Sequence, residues 1–330
     1  MDSRALYPLK FVPILKEKIW GGERIKRVYR HDSQTDELLG ESWDVSGMEG
    51  DESEVCNGFL EGNTLPDLLE VYMGDLVGDA VYERYGNCFP MLVKLLDAKR
   101  QLSIQVHPDD DKAEQLGEMM GGKNELWYVL GADEGASVIA GFEMHITEQQ
   151  CNEFLERGEL DRVLHRIPVE KGDVVYIPAG CVHSIGSGCT ILEIQEPSDI
   201  TYRLFDFNRK DVDGSLRELH IDKSLASIDW DNWKNDKLAV EVKTGELTSI
   251  IDRPCFTVNI MEIDKPKEYE LGAIDSFIVL VCTEGHVTLK WDNDYITLSD
   301  MECVLIPAEM TSLMIVPTVK SRLIEAFIKA

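Results

Sequence analysis

The segment GDVVYIPAGCVHSI, residues 172–185, carries the pattern that decides the fold. An apolar run, Val174–Ile177, ends at a Pro and Gly turn, where glycine accepts the positive φ that reverses the chain. His183 then opens a second apolar run and is expected to point inward. The spacing predicts a strand, a tight turn and another strand. Because a lone inward histidine is more often a satisfied core residue than a ligand, the surrounding sequence has to decide its role.

The same segment recurs in the second half of the chain. Residues 301–314, MECVLIPAEMTSLM, align with residues 172–185 when Pro178 stands opposite Pro307, and both copies contain V-x-I-P-A. In this alignment the turn glycines of the first copy are lost in the second, and His183 stands opposite Ser312. We interpret the match as one small β-barrel present twice, with metal chemistry only in the first copy. A chance match of two strand-turn segments is the alternative.

Strand-like segments dominate the rest of the chain. Apolar or alternating runs of strand length lie between Gly, Pro, Asn and Asp residues at 89–96, 126–130, 137–142, 190–195, 277–282 and 303–306. Helical periodicity is limited to 65–85, 110–120 and 147–157, and the last segment opens with Thr147 and Gln150 at capping-box spacing. The sequence therefore predicts a mainly β fold with short helical excursions.

A polar and charged stretch marks the expected boundary between the two halves. Residues 209–237 are low in strand signal, and the polar constellations all precede them. We predict a catalytic domain at 1–210 with a helical insertion around 64–86, and a connection at 211–237. A second domain without a metal site is expected at 238–330.

Composition excludes several classes of partner. The 330 residues are 44% apolar, which is enough for real cores, and 33 Lys and Arg against 61 Asp and Glu give a formal charge of −28. Such a charge repels nucleic acid and anionic lipid, so we expect a small-molecule partner, no nucleic acid and no membrane. An anionic substrate would need a local patch of positive charge.

Targeting and cysteine patterns point to a cytoplasmic protein. The chain has no apolar stretch of about eighteen residues, and its start, MDSRALYPLK, lacks the basic, apolar and small-residue order of a secretory signal. The eight cysteines are scattered without a C-x-x-C pair, which argues against a disulfide scaffold or a thiolate zinc cluster. Most are expected to be buried small apolar residues.

A second polar constellation lies upstream of the glycine turn. In QLSIQVHP, residues 101–108, the alternation of a strand puts Ser103, Gln105 and His107 on one face. If that face is inside, leaving the three side chains unpaired costs a few kcal/mol, so a metal or ligand has to satisfy them. A solvated face is the simpler alternative.

One carboxylate completes the candidate site. Glu125 begins the apolar run LWYVL, which we expect to return antiparallel beside the first strand. A barrel can then bring Gln105, His107, Glu125 and His183 to one centre. Two imidazoles, one carboxylate and one amide oxygen suit a single Zn²⁺ per chain, with positions left for water or substrate. The two histidines and the carboxylate alone would also suit a facial triad for non-haem Fe²⁺.

Several motifs, in order, resemble one enzyme family. They are KIWGG at 18–22, GESWDVS at 40–46, LDAK at 96–99, SIQVHPDD at 103–110, NELWYV at 124–129, GDVVYIPAGCVHSIG at 172–186 and EIQEPSDITYRLFDFNR at 193–209. From Tyr7 to about Arg209 the chain resembles the type I phosphomannose isomerases, which are zinc-dependent mannose-6-phosphate isomerases built on the cupin barrel. It looks like the short bacterial form, with a reduced helical insertion. The resemblance implies two cupin-type (jelly-roll) barrels in tandem, with a small helical insertion in the first and a degenerate second barrel.

The resemblance also implies roles for individual residues. Gln105, His107, Glu125 and His183 match the zinc ligands, and Arg203, Asp199 and Lys123 match positions that line the active site. Arg203 and Lys123 would supply the positive charge that a phosphosugar needs, with Lys123 helping to hold the phosphate. A surface ion pair for Arg203 and a solvated Lys123 are the plain alternatives.

The chemistry implied is aldose–ketose isomerisation through a cis-enediol, which needs a general base. Candidates for the base are Glu193, Asp199, or Lys123 with a lowered pKa, and Trp20, Glu41 and Trp43 are candidates for shaping the pocket.

Two other functions remain open at this point. One is an iron or manganese cupin oxygenase that uses His107, Glu125 and His183, and the other is a sugar-binding or regulatory cupin that keeps the metal without turnover. The expected oligomeric state is a monomer or a homodimer.

Overall fold

A computed structural model describes residues 5–29, 38–211 and 214–329, with the backbone alone at 28 and 29. The strands are β1 (Ile14–Gly22), β2 (Leu39–Val45), β3 (Gly47–Met48), β4 (Asp51–Glu52), β5 (Leu92–Ala98), β6 (Ile104–Val106), β7 (Glu125–Ala132), β8 (Ser137–Phe142), β9 (Leu164–Pro168), β10 (Val174–Ile177), β11 (His183–Ile185), β12 (Cys189–Gln195), β13 (Tyr202–Phe205), β14 (Leu247–Asp252), β15 (Thr257–Ile263), β16 (Lys267–Glu270), β17 (Ile278–Glu284), β18 (Val287–Trp291), β19 (Asp294–Leu298), β20 (Cys303–Ile306), β21 (Ser312–Pro317) and β22 (Ser321–Phe327). The predicted mainly β fold is confirmed.

The helices are few and short. They are α1 (Leu65–Tyr72), α2 (Gly74–Val77), α3 (Asp79–Tyr85), α4 (Asp110–Gln115), α5 (Glu148–Glu156) and α6 (Ile221–Ser227), with a π-helical turn at Ile25–Tyr29 and 3₁₀ turns at Gly58–Leu60 and Leu160–Arg162. Among the described residues, no helix combines the length and the apolar character that crossing a bilayer requires.

Chain packing gives two compact units. The terminal unit comprises the described residues of Met1–Ile14, Asp44–Met91 and Val240–Ala330, and the central unit comprises those of Leu15–Trp43 and Leu92–Ala239. Residues 44–91, which include the predicted helical insertion, pack in the terminal unit, where Phe277 donates its backbone N–H to Val77 O at 3.1 Å. The predicted domains 1–210, 211–237 and 238–330 remain a prediction made from sequence.

The central unit is built from two antiparallel sheets. One has the strand order β1-β2-β5-β12-β7-β10 and the other β13-β6-β11-β8-β9. Trp127 and Val129 of the first sheet share one apolar cluster with Val138, Ile167 and Ile185 of the second. The two sheets therefore pack face to face through this cluster.

The terminal unit repeats the arrangement. Its sheets have the orders β14-β15-β22-β17-β20 and β16-β21-β18-β19, and its core joins Leu280 and Leu323 of the first to Leu289 and Ile315 of the second. The order β5-β12-β7-β10 thus recurs as β15-β22-β17-β20, and β6-β11-β8-β9 recurs as β16-β21-β18-β19. This common pairing order supports the internal repeat, while the closure of two jelly-roll barrels in tandem stays a prediction.

The sequence-predicted helices differ from the observed ones in their ends. The helix expected over 65–85 is three short helices because Met73 and Gly78 adopt positive φ values of 47° and 96°. Helix α5 starts as predicted, with Thr147 and Gln150 forming a capping box. Helix α4 ends at Gln115, five residues before the predicted end at Met120.

Two details of strand placement correct the sequence interpretation. Strand β7 does not return beside β6: it pairs with β10 and β12 in the opposite sheet, so Glu125 approaches the β6 residues across the interior. In the terminal unit Ser312 is exposed, and Leu313 takes the inward position and pairs with Tyr269. The reason is the same in both cases, since strand patterns specify faces but do not specify neighbours or the register after a turn.

Candidate metal and substrate site

Three side chains from separate strands meet inside the central unit. His107, Glu125 and His183 each present one ligand atom, and these atoms lie within 4.8 Å of one another. His107 follows β6, Glu125 opens β7 and His183 opens β11, so both sheets contribute to the centre. All three side chains are at most 1% exposed.

The hydrogen bonds of the two imidazoles leave their Nε2 atoms available as ligands. His107 Nδ1 donates to Ile200 O at 2.6 Å, and His183 Nδ1 donates to Cys181 O at 2.8 Å. With the proton on Nδ1, each Nε2 carries a lone pair directed at the common centre. Burial, followed by the charge of Lys123, lowers the pKa of His107 to about 3, so this imidazole is neutral at ordinary pH.

Two buried atoms at this centre lack a hydrogen-bond partner. They are His107 Nε2 and Glu125 Oε2, although His107 Nε2 lies 3.1 Å from Glu125 Oε1 and His183 Nε2 lies 3.7 Å from Glu125 Oε2. Leaving a lone pair and a carboxylate oxygen unpaired in the interior costs free energy that a cation would recover. The donor set of two imidazoles and a carboxylate therefore fits a divalent metal ion.

Gln105 lies beside this centre in a different orientation from that expected of a ligand. Its Nε2 faces His183 Nε2 at 3.2 Å, while its Oε1 accepts a hydrogen bond from Ser103 Oγ at 3.1 Å. Rotation of the amide by about half a turn would exchange the two atoms, and Ser103 Oγ could then accept from the amide N–H. Gln105 as the fourth ligand remains a prediction.

A cavity of about 290 Å³ opens beside the metal-ligand candidates. Gln105, Glu125, Lys123, Asp199 and Arg203 all line it. The further lining residues include the suggested pocket residues of the sequence analysis: Trp20, Glu41, Trp43 and Glu193. The wall of this one cavity thus contains every sequence-derived candidate except His107 and His183. The Nε2 atoms of those two histidines lie 3.1 Å and 3.7 Å from the carboxylate oxygens of Glu125.

Lys123 is held against a proposed ligand. Its Nζ lies 2.6 Å from Glu125 Oε1, and its side chain is buried. Burial would raise the pKa of Glu125, but the Lys123 ammonium outweighs burial, and that pKa lies well below its usual range. For Lys123 burial acts to lower the pKa, and Glu125 more than reverses this, so the net pKa is raised. A raised pKa disagrees with the suggestion of Lys123 as a general base.

A second carboxylate–lysine pair lies on the neighbouring strands. Glu193 on β12 faces Lys94 on β5, with Oε1 and Nζ 3.6 Å apart, and Trp127 Nε1 donates to Glu193 Oε2 at 2.8 Å. Burial and then the charge of Glu125 raise the pKa of Glu193. Burial and then the charge of Lys123 lower the pKa of Lys94. A carboxylate with a raised pKa that faces the cavity is suited to taking and returning a proton.

Glu41 forms a third charged group in the wall. It accepts from Trp43 Nε1 at 2.6 Å and lies 3.2 Å from Lys18 Nζ. Burial would raise its pKa, but Lys94 and Lys18 outweigh burial, and the net pKa is lowered. Glu41 therefore stays ionised beside the cavity.

Three charged cavity residues were missed by the sequence analysis: Lys18, Lys94 and Arg217. Lys94 sits in an apolar run that reads as an ordinary buried strand, and Arg217 lies in the stretch interpreted as a connection. The signal for Lys94 was its position in the middle of the run 89–96, where a lysine is unusual without a partner. For Arg217 the sequence contained no signal, because the fold returns this segment to the cavity.

Comparison with known proteins gives a consistent result. The model of the phosphomannose isomerase type I catalytic domain matches residues 8–140. The chain is 42% identical over 228 residues to mannose-6-phosphate isomerase ManA of Bacillus subtilis, covering 67% of this chain and 68% of that protein. It is 36% identical over 284 residues to mannose-6-phosphate isomerase of Streptococcus mutans, covering 86% and 87% of the two chains.

A solved structure agrees over nearly the whole length. The crystal structure of mannose 6-phosphate isomerase from Bacillus subtilis superposes with a TM-score of 0.88 at 30% identity, covering 97% of this chain and 99% of that chain. Sequence identity of this extent, together with the same fold, leaves one conclusion. The chain belongs to the type I phosphomannose isomerase family of enzymes.

Proposed function

We propose that this protein is a zinc-dependent aldose–ketose isomerase that interconverts mannose 6-phosphate and fructose 6-phosphate through a cis-enediol. The observation that carries the proposal is the buried cluster of His107, Glu125 and His183 beside a polar cavity. Family membership supports the reaction, and the donor atoms support the metal.

Zn²⁺ is the ion that best suits the proposed ligands. Gln105, His107, Glu125 and His183 would hold it, and two neutral imidazoles with one carboxylate favour a borderline ion over Mg²⁺ or Ca²⁺. When bound, the ion supplies Lewis-acid polarisation of the sugar's carbonyl and hydroxyl oxygens, which lowers the pKa of the adjacent C–H.

The protein's own residues would then move the proton and hold the sugar. We assign the proton transfer between C2 and C1 to Glu193, because its raised pKa and its place in the cavity wall suit a reversible base. Asp199 also lines the cavity and is the second candidate. Lys123 and Arg203 supply positive charge beside the developing enediolate oxygens.

The experiment is a coupled assay that follows fructose 6-phosphate formation from mannose 6-phosphate, combined with elemental analysis of the purified protein. We expect about one zinc per chain and turnover that a chelator abolishes and added zinc restores. The His183→Ala variant serves as the control that loses both. Zinc without turnover in the parent protein would instead support a sugar-binding or regulatory cupin.

The oxygenase alternative makes a different prediction from the same cluster. An iron or manganese enzyme would contain that metal after purification and would consume oxygen in the presence of its substrate. Absence of oxygen uptake together with zinc in the site would exclude it.

The remaining expectations concern the setting of the enzyme. We expect a phosphosugar as the small-molecule partner, no contact with nucleic acid or membrane, a cytoplasmic location and a monomer or homodimer. The charge of −28 supports the exclusion of nucleic acid and anionic lipid.

A further inference from the structure

A second, larger cavity adjoins the one that contains the metal-ligand candidates. It has a volume of about 710 Å³, and four residues line both cavities: Lys18, Trp20, Arg203 and Arg217. The two cavities therefore share a boundary. The residues at this boundary contact any molecule that extends from the inner cavity to the outer one.

Most cations around the inner cavity are already paired. Lys123 is 2.6 Å from Glu125, Lys94 is 3.6 Å from Glu193 and Lys18 is 3.2 Å from Glu41. Each of the three lysines thus has one carboxylate partner, which reduces the net charge that it offers to a phosphate dianion.

The charges of the two boundary arginines are compensated less completely than those of the lysines. Arg217 is 3.4 Å from both Oδ1 and Oδ2 of Asp206, and this carboxylate is also bound closely by Arg209. For Arg203, no ion pair occurs with any carboxylate in the part of the chain that the structure describes, and its Nε is buried without a hydrogen-bond partner. Burial, followed by the charge of Arg217, lowers the pKa of Arg203, and the two arginines line the same two cavities.

Among the residues that line both cavities, Lys18, Arg203 and Arg217 are cationic and none is acidic, whereas Glu17, Asp211 and Glu218 line only the outer cavity. We propose that Arg217, next to Arg203, binds the phosphate of the substrate and makes the enzyme select a phosphorylated sugar over the free sugar. This inference rests on the proposed isomerase function. Two guanidiniums match the geometry and charge of a phosphate dianion, and the reacting end of the sugar would then lie in the inner cavity.

Asp206 has a positioning role in this arrangement. Its side chain is buried, it contacts both Arg209 and Arg217, and Arg209 in turn donates to Gln101 O. Arg209 lines neither cavity, so its charge is not needed for a ligand and can compensate Asp206. Arg217 therefore stays available to the ligand. Arg217 N also donates to Arg209 O at 3.3 Å, which fixes the backbone of this segment.

The test compares Arg217→Gln and Arg217→Lys with the parent on mannose 6-phosphate and on free mannose. Loss of one charge-assisted hydrogen bond is expected to lower kcat/KM for mannose 6-phosphate by about 10- to 100-fold and to raise the Ki of inorganic phosphate by a similar factor. Turnover of free mannose, which has no phosphate, is expected to fall by a much smaller factor, so the preference for the phosphosugar falls. Arg217→Lys is expected to retain part of the preference.

The matched control is Arg166→Gln, which removes the same charge from an exposed arginine that pairs with Asp161 on the same unit. If Arg217→Gln lowers the turnover of both substrates equally, or leaves phosphate inhibition unchanged, the proposal is overturned. Failure of the parent protein to isomerise mannose 6-phosphate at all would count against the proposed function itself. In that case the Ki of inorganic phosphate cannot be measured. Thermal stabilisation of the parent and of Arg217→Gln by inorganic phosphate still tests the anion site.

Discussion

The central and terminal units have the same strand-pairing order and differ in what lies between their sheets. By pairing register together with burial, the counterparts of Gln105, His107, Glu125 and His183 are Tyr269, Leu271, Ile278 and Leu313. These four counterparts belong to one apolar core in the terminal unit, in which the Tyr269 hydroxyl is buried without a hydrogen-bond partner. In the central unit the same places form a polar centre with two unpartnered buried atoms.

The comparison shows that this framework folds around an apolar interior and does not depend on the polar centre. In the terminal unit, the pairs Ile278–Ile306 and Tyr269–Leu313 join strands by ordinary backbone pairing while their side chains fill the core. Burying the polar centre therefore costs free energy, and a bound metal ion would offset that cost.

One polar pair occurs in both units. Glu193 pairs with Lys94 in the central unit, and Glu325 pairs with Asn259 at the same place in the terminal unit. Asn259 Nδ2 donates to Glu325 Oε1 at 2.7 Å, and Glu325 Oε2 is buried without a partner. The two carboxylates thus have matching positions, and only the first lies beside a cavity with candidate metal ligands.

The largest loss of turnover is expected when a proposed metal ligand of the central unit is replaced by its counterpart in the terminal unit. His107→Leu introduces the residue found at the counterpart Leu271, so the sheets should still pack while the ligand set is broken. We expect turnover to fall by more than about 100-fold and the metal content to fall with it. Isomerase assay and elemental analysis measure the two quantities, and His145→Leu, an exposed histidine, is the control. Full activity in His107→Leu would show that this histidine is not a ligand.

The matched variants Glu193→Gln and Glu325→Gln distinguish a catalytic role of the buried carboxylate from a structural one. If Glu193 moves the proton, Glu193→Gln lowers kcat by about 100-fold or more with a smaller effect on KM. Glu325→Gln is expected to leave kcat unchanged. Steady-state kinetics on both variants decide the question, and equal loss of kcat in the two would assign Glu193 a purely structural role.

The reverse exchange tests the apolar core of the terminal unit. Leu313→His places an imidazole among apolar side chains with no carboxylate in the counterpart positions. We expect the free energy of unfolding to fall by about 2–3 kcal/mol without any gain of bound metal. Urea unfolding and elemental analysis measure this, with Leu313→Met as the control of similar volume. A second equivalent of zinc in the variant would contradict the comparison.

The smallest expected effect is a change in how the stability of the protein depends on pH. Burial raises the pKa of Glu325 above its usual value, so the folded state holds this proton more tightly than the unfolded chain does. Stability from this group is therefore complete below the ordinary carboxyl pKa and is lost as pH rises through the raised value. Glu325→Gln should flatten this decline between acidic and neutral pH, because glutamine does not titrate. Thermal unfolding at several pH values measures it, and parallel pH profiles of parent and variant would remove Glu325 as the cause.

Much of the fold was readable because strand patterns are local. The runs 137–142, 174–177 and 303–306 coincide with β8, β10 and β20, and the capping box at Thr147 starts α5 as predicted. The helix predicted over 65–85 was wrong in its continuity, because Met73 and Gly78 take conformations that periodicity does not register.

The candidate site was also partly readable. His107, Glu125 and His183 were predicted from residue type and strand faces, and the structure brings their ligand atoms within 4.8 Å of one another. The position of the strand that carries Glu125 was predicted wrongly, since β7 lies in the sheet opposite β6 and not beside it. Which strands become neighbours depends on long-range packing that alternation within one strand does not encode.

The sequence by itself determined the mainly β content, the repeated strand-turn-strand segment and the kinds of donor atom that a metal would meet. These features follow from side-chain chemistry and from periods of a few residues. Only the tertiary structure decided that Leu313 and not Ser312 takes the place of His183, and that Arg217 from a presumed connection returns to the cavity beside Arg203. Both outcomes depend on how distant segments pack, because the apolar interior selects a single register and a single path for the chain.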